Sequence, residues 1–117
     1  MASSRFGQRG GLAAALALGA VLAPTAVIGE PLTNPLLGDA GAIAAGRKTY
    51  RQRCYICHLA QGGRGPNLFT DKLSDEKFLM TVINGRKGAA MPAFGLQMTP
   101  DEVWEVHAYV RSTDHHE

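Results

Sequence analysis

Cys54-Tyr55-Ile56-Cys57-His58 is the stretch that decides the reading of this chain. It has the form C-x-x-C-H, which predicts covalent attachment of a c-type haem. Two thiols three positions apart on one helical turn can each add to one haem vinyl group. The imidazole next in sequence is then carried under the porphyrin, where a ring nitrogen can bind the iron. These are the only two cysteines in the chain, so no disulfide framework competes for them. The same residues admit three other readings: a thioredoxin-like redox pair, half of a zinc site, or a simple disulfide. A zinc site takes four nitrogen or sulfur ligands, and no second cysteine pair exists to supply them.

At 117 residues the chain holds one domain at most. Arg5 and Arg9 precede a run from Gly11 to Ala23 made only of Gly, Ala, Leu and Val, and Pro24 ends that run. This is the order of a secretory signal, so residues 1–29 are expected to be a leader cut after Gly29, with a cut after Ala26 as the alternative. The competing reading is an uncleaved membrane anchor, against which the run is short and interrupted by proline. Export to the periplasm fits the motif, because haem is joined to thiols outside the bacterial cytoplasm. What remains after the leader buries a thin core and needs a staple, and a covalent haem would serve as one.

The formal net charge is +2, but the charge is unevenly spread. Arg47, Lys48, Arg51, Arg53, Arg64, Lys72, Lys77, Arg86 and Lys87 face only Asp71, Asp75 and Glu76 between residues 47 and 87. From residue 88 onward Arg111 faces Asp101, Glu102, Glu105, Asp114 and Glu117. A basic half around the motif would steer the protein toward redox partners with acidic docking surfaces. A merely solvated face is the alternative. Basic and aromatic residues are not interleaved, which argues against nucleic acid.

Residues 30–39 read as an extended lead-in, with Pro31, Pro35 and Gly38. Asp39 is the expected N-cap of a first helix from Ala40 to Arg53, and Gly46 inside that helix lets another backbone or a large ring come close. Residues 60–68 cannot hold a regular element, and Gly65-Pro66 marks a turn. Ser74 caps a short helix from Asp75 to Asn84 with Phe78, Leu79, Val82 and Ile83 as its apolar face and Gly85 as its stop. Thr99, Pro100 and Glu102 form an N-cap, N1 proline and capping box for a last helix. That helix carries Val103, Val106, His107 and Val110 in a stripe flanked by Trp104 and Tyr109. No segment alternates with the period of a strand, and residues 113–117 form an expected flexible tail.

His58 fills one side of the iron, and Met80, Met91, Met98, His107, His115 and His116 are the candidates for the other. Met80 reads as core. His107 reads as a satisfied or half-exposed structural histidine, and His115 and His116 sit at an untethered terminus. Met98 directly precedes a helix cap. Met91 lies in a glycine-flanked loop before Pro92 and is the preferred ligand. A thioether sulfur suits low-spin haem iron and favours the ferrous state.

Residues 40–112 resemble a class I cytochrome c. The resemblance runs through Gly46, Tyr50, the Cys54–His58 motif, Gly65-Pro66-Asn67-Leu68, Gly85, Met91-Pro92 and Tyr109. It implies an all-α class I cytochrome c fold, three to four helices around one covalently bound haem c, with the first and last helices crossing. On that analogy Gly46 would face Tyr109 or Trp104. It also implies that the Pro66 carbonyl accepts a hydrogen bond from the His58 nitrogen turned away from the iron, which orients the ring and enriches its electron density. The cofactor-binding residues are therefore Cys54, Cys57, His58, Pro66 and Met91, with His58 and Met91 on the metal. The Asn34-Pro35 lead-in, the Asn84-Gly85-Arg86 turn and the Met-Pro-Ala-Phe segment are similar to small cytochromes that accept electrons from quinoprotein alcohol dehydrogenases.

The function expected from these residues is single-electron transfer between a redox protein donor and acceptor, with no catalytic residue. Two other classes remain. A haem enzyme or gas sensor would need a labile sixth position, and a permanent cytochrome subunit of an oxidoreductase complex would need a fixed partner.

Overall fold

The computed structural model describes residues 29–59 and 63–112, together with positions 11, 17, 19 and 20. The expected leader, apart from those positions and Gly29, and the 113–117 tail with His115 and His116 lie outside the described residues. All regular structure among the described residues is helical.

Helix α1 spans Ala40–Thr49 and begins where Asp39 accepts a hydrogen bond from the Ala42 amide at 2.7 Å. The expected single helix to Arg53 is not what forms. From Tyr50 to Cys54 the helix widens into a π-turn, closed by the Tyr55 amide donating to the Tyr50 carbonyl at 2.8 Å. Helix α2 spans Asp75–Asn84 under a Ser74 cap, with Asp75 and Glu76 placed where the helix dipole favours acids. Gly85 ends it at φ +67°, a left-handed conformation that glycine adopts without penalty. Helix α3 spans Pro100–Arg111 and carries the full capping box. The Thr99 amide donates to Glu102 at 2.8 Å, and the Glu102 amide donates to the Thr99 hydroxyl at 3.2 Å.

α3 is the centre of the packing, and Val106 to Val110 are buried without interruption. It rests against α1 at Gly46, where a Cβ would overlap the Glu105 carbonyl. The partner of Gly46 is thus the Glu105–Val106 backbone rather than the Tyr109 or Trp104 side chain. Close approach of two backbones removes the room for any side chain between them. One turn beyond Gly46, at the start of the π-turn, Tyr50 meets Tyr109 at 5.5 Å and Phe69 at 5.3 Å between ring centroids. On α2 the buried face holds Phe78 and Leu79, with Val82 and Ile83 partly covered. Met80, expected in the core, is 44% exposed. It sits one to two residues past that face, so helical rotation carries it outward.

The lead-in is tied down more firmly than its composition suggests. Asn34 is buried, and its side chain donates to the Trp104 carbonyl at 2.8 Å and to His107 Nδ1 at 2.9 Å. Its main-chain amide donates to Asp75 at 2.8 Å, and its side-chain oxygen accepts from the Leu36 amide at 2.8 Å. One residue therefore joins the segment before α1 to both α2 and α3. His107 is fully buried; it accepts from Asn34 at Nδ1, which leaves the proton on Nε2, 3.6 Å from an Asp75 oxygen. Burial above all holds its pKa below the ordinary 6.5, with Arg111 adding to the effect and Asp75 and Asp71 opposing it.

Two outcomes follow from this packing. Gly46→Ala gains about 1 kcal/mol of helix propensity but overpacks the crossing, at about 1–3 kcal/mol. The haem-loaded variant is expected to denature at lower urea than wild type. His107 bears on acid stability. As pH falls through 6.5 the unfolded chain takes up a proton that the folded chain refuses, because the folded value is lower. This contribution is complete above that range and is lost as pH drops toward the lowered value. The urea midpoint of wild type is expected to fall with acidification below pH 6.5, and His107→Gln is expected to flatten that decline.

Candidate functional site

The motif sits directly after the π-turn. The Cys57 and His58 amides both donate to the Cys54 carbonyl, at 3.1 and 2.9 Å, so Cys54 to His58 forms a single turn that gathers both thiols and the imidazole. The two thiols are not joined in a disulfide. Burial, the largest influence, pushes the Cys54 thiol up to about 11 despite Arg53 beside it, and Cys57 adds to the rise. A dithiol redox pair works through a thiolate of lowered pKa, so Cys54 is set up in the opposite sense. Among the described residues no group of three or more His, Cys, Asp or Glu side chains could hold a metal ion.

His58 is held at both its ring and its main chain. Its Nδ1 lies 2.8 Å from the Pro66 carbonyl. A carbonyl only accepts, so Nδ1 carries the proton and Nε2 keeps its lone pair. Its own carbonyl accepts from the Tyr50 hydroxyl at 2.6 Å. Gly65 allows the Pro66 segment to lie flat against the imidazole, since a Cβ there would collide with the His58 ring. The Gly65 amide donates to the Cys57 carbonyl at 2.8 Å, which closes the loop back onto the motif. Farther along, Arg111 fastens the next segment to α3 by donating to Asp71 at 2.8 Å and to the Leu68 carbonyl at 3.0 Å.

Cys54, Cys57 and His58 line a cavity of about 220 Å³ together with Pro66, Met91 and Met98. Leu68, Phe78, Val82, Val103 and Val106 make most of its remaining surface apolar. The Met91 loop is folded onto the end of α2, whose last carbonyls lack helical partners. The Phe94 amide donates to the Val82 carbonyl and the Gly95 amide to the Ile83 carbonyl, each at 3.0 Å. The Arg86 amide donates to the Met91 carbonyl at 3.3 Å, and a Cβ at Gly85 would crowd that same carbonyl at 2.8 Å. Gly85 is thus needed both for its left-handed φ and for this contact.

The structure brings all five expected cofactor-binding residues to one cavity. Met98 shares it, which its position before a helix cap only hinted at. Met80 points to solvent, and His107 is committed to Asn34. The roles of Tyr50 and Gly65 at His58 were not legible from spacing. The donor set fits haem c: two unpaired thiols, an imidazole with a free Nε2, a thioether and apolar walls.

Comparison with known proteins agrees with this geometry. The family model described as cytochrome c oxidase, cbb3-type, subunit III matches residues 41–110. The chain is 36% identical to cytochrome c6 of Gloeothece citriformis over 62% of its own length and 70% of that protein's. It is 35% identical to the quinohemoprotein alcohol dehydrogenase ADH-IIG of Pseudomonas putida over 80% of its own length, but spans only 15% of that enzyme. Among solved structures, cytochrome cL of Methylophaga aminisulfidivorans superposes with a TM-score of 0.62 at 29% identity, covering 68% of this chain and 57% of that one. A helical fold, a C-x-x-C-H turn facing an apolar cavity and these relatives together show that the chain belongs to the class I c-type cytochromes, the covalent haem c proteins.

Proposed function

We propose that the chain is an exported, single-haem electron carrier in which Cys54 and Cys57 hold the haem and His58 and Met91 are its axial ligands. The observation that carries this reading is the bond from His58 Nδ1 to the Pro66 carbonyl. It fixes the tautomer, leaves Nε2 as the coordinating nitrogen and raises its basicity. Met91 lines the same cavity on a loop held by main-chain bonds to α2. Bound haem supplies a one-electron ferric/ferrous couple. The apolar residues keep water from the cavity, and the thioether favours the ferrous form. With His58 and Met91 both holding the iron, no position on it would be left for a substrate.

Exposed Arg53, Arg64 and Arg86 also line the cavity and give its mouth a positive rim. Such a rim favours rapid, salt-sensitive and short-lived encounters with acidic partners. Similarity to a segment of a quinohemoprotein alcohol dehydrogenase supports a quinoprotein dehydrogenase as the donor. A second reading, a permanent subunit of an oxidoreductase complex, is favoured by the oxidase-subunit description of the matching family and by the small share of the dehydrogenase that this chain spans. Size-exclusion of native extract separates the two: a carrier elutes alone, a subunit with its complex. Periplasmic export rests on the Arg5-to-Gly29 leader pattern.

Met91→Ala is expected to lose the weak thioether-to-ferric-iron absorption band, turn high-spin and bind carbon monoxide when reduced. A wild-type protein that is already high-spin and binds carbon monoxide readily would overturn the carrier reading in favour of a sensor or enzyme. Electron transfer to an acidic acceptor protein is expected to slow as ionic strength rises. Replacing Arg53, Arg64 and Arg86 by Gln should remove most of that salt dependence, and an unchanged profile would remove the steering claim.

A further inference from the structure

We propose that Tyr50 is a positioning residue for the iron: it acts through His58, by holding the main chain of the ligand while Pro66 holds its ring. The inference rests on the reading that His58 ligates the haem. Three observations carry it. The Tyr50 side chain is completely buried, and its hydroxyl donates to the His58 carbonyl at 2.6 Å. Its own carbonyl accepts from the Tyr55 amide at 2.8 Å, which makes the helix a π-turn at this point. The ring is wedged among Phe69, Tyr109 and Tyr55, with centroids at 5.3, 5.5 and 6.2 Å, so the hydroxyl has no freedom to turn elsewhere.

Tyr50 therefore grips the haem-binding turn at its beginning through the main chain and at its end through the side chain. In a regular α-helix its carbonyl would accept from residue 54, a cysteine of the motif. The π-turn moves that bond one residue on, and one added residue rotates everything after it by about 100° about the helix axis. Such single wide turns recur at functional sites. Here the turn is the one that aims Cys54 at the cavity, and its first residue is the one that secures His58. The carbonyl of His58 is also where the chain leaves the turn for the loop toward Gly65 and Pro66. With that carbonyl released, the Pro66 bond would have to set the imidazole angle alone.

The test is Tyr50→Phe in the full haem-loaded chain, with Tyr109→Phe as a control that removes a hydroxyl from the same ring cluster but not from His58. Phenylalanine keeps the ring and its packing. Haem content and helicity are expected to match wild type for both. Tyr50→Phe is expected to shift the ferric low-spin electron paramagnetic resonance g-values and the midpoint potential, while Tyr109→Phe leaves both in place. Wild-type g-values and potential in Tyr50→Phe, with only a lowered melting temperature, would make the hydroxyl merely structural and overturn the proposal. Equal shifts in both variants would assign the effect to ring packing and overturn it too. If Tyr50→Phe does not load haem, the Tyr50 hydroxyl proton of the wild-type protein decides: slow exchange with solvent in its proton resonance is expected, and a hydroxyl proton lost to fast exchange overturns the proposal. The ligand reading fails separately, if His58→Ala retains the wild-type low-spin signals.

Discussion

The contact on which the other features depend is the meeting of the α1 and α3 backbones at Gly46 and Glu105. Because no side chain separates the helices there, Tyr50, one turn later at the start of the π-turn, is brought against Tyr109 on α3. Tyr50 in turn reaches the carbonyl of His58. The location of His58 is thus set by a crossing more than a helical turn away, and a single hydrogen atom at Gly46 is the condition for it. α3 can serve as the central helix because it is apolar on nearly every side from Val106 to Val110. A helix covered all round needs neighbours on all sides. α1, α2 and the lead-in at Asn34 supply them.

Loops build the cavity together with Phe78 and Val82 of α2 and Val103 and Val106 of α3, and each loop is fastened by directional hydrogen bonds. The Met91 loop uses the last carbonyls of α2, the Pro66 loop uses Cys57 and His58, and the segment after it uses Arg111 at the end of α3. A chain this short has few apolar residues to spare for holding loops by packing. Directional bonds to helix termini do the same work with almost no buried area, and they leave the apolar side chains free to line the cavity.

What was legible in the sequence was local chemistry. Asp39, Ser74, Thr99 and Glu102 announce helix starts, and each makes its cap bond as read. Gly85 announces a stop, and Cys54 to His58 announce the cofactor. What was not legible depends on three-dimensional partners. The π-turn has no sequence mark, since Tyr50 through Cys54 read as ordinary helix. Gly46 signalled a close approach, but not that a carbonyl rather than an aromatic ring would fill it. Asn34 reads as part of an extended lead-in, and only the fold sets it between Trp104, His107 and Asp75. Met80 is apolar and so reads as core, but its rotation about α2 carries it away from the Phe78 and Leu79 face.

Two methionines face the cavity, and energetics separates them as ligands. Met98 is 6% exposed and belongs to the main hydrophobic cluster with Phe78, Val103 and Val106. Moving its side chain toward a metal would vacate a core position, and emptying a buried methionine site costs about 2–5 kcal/mol. Its main chain is also fixed by a 2.9 Å bond to Phe94 and by the Thr99 cap that follows. Met91 is only partly buried and is absent from that cluster, so turning its sulfur toward the cavity leaves no void behind. Gly85 and Gly88, both at positive φ, bound the turn that leads to it. A residue that gives up nothing in the core would be the better donor, because the whole energy of a bond to iron would then be available to order its own loop. The same balance explains why His107 offers no competition: its Nδ1 is held by Asn34, its ring packs on Phe78, and freeing it would dismantle the junction that anchors the lead-in.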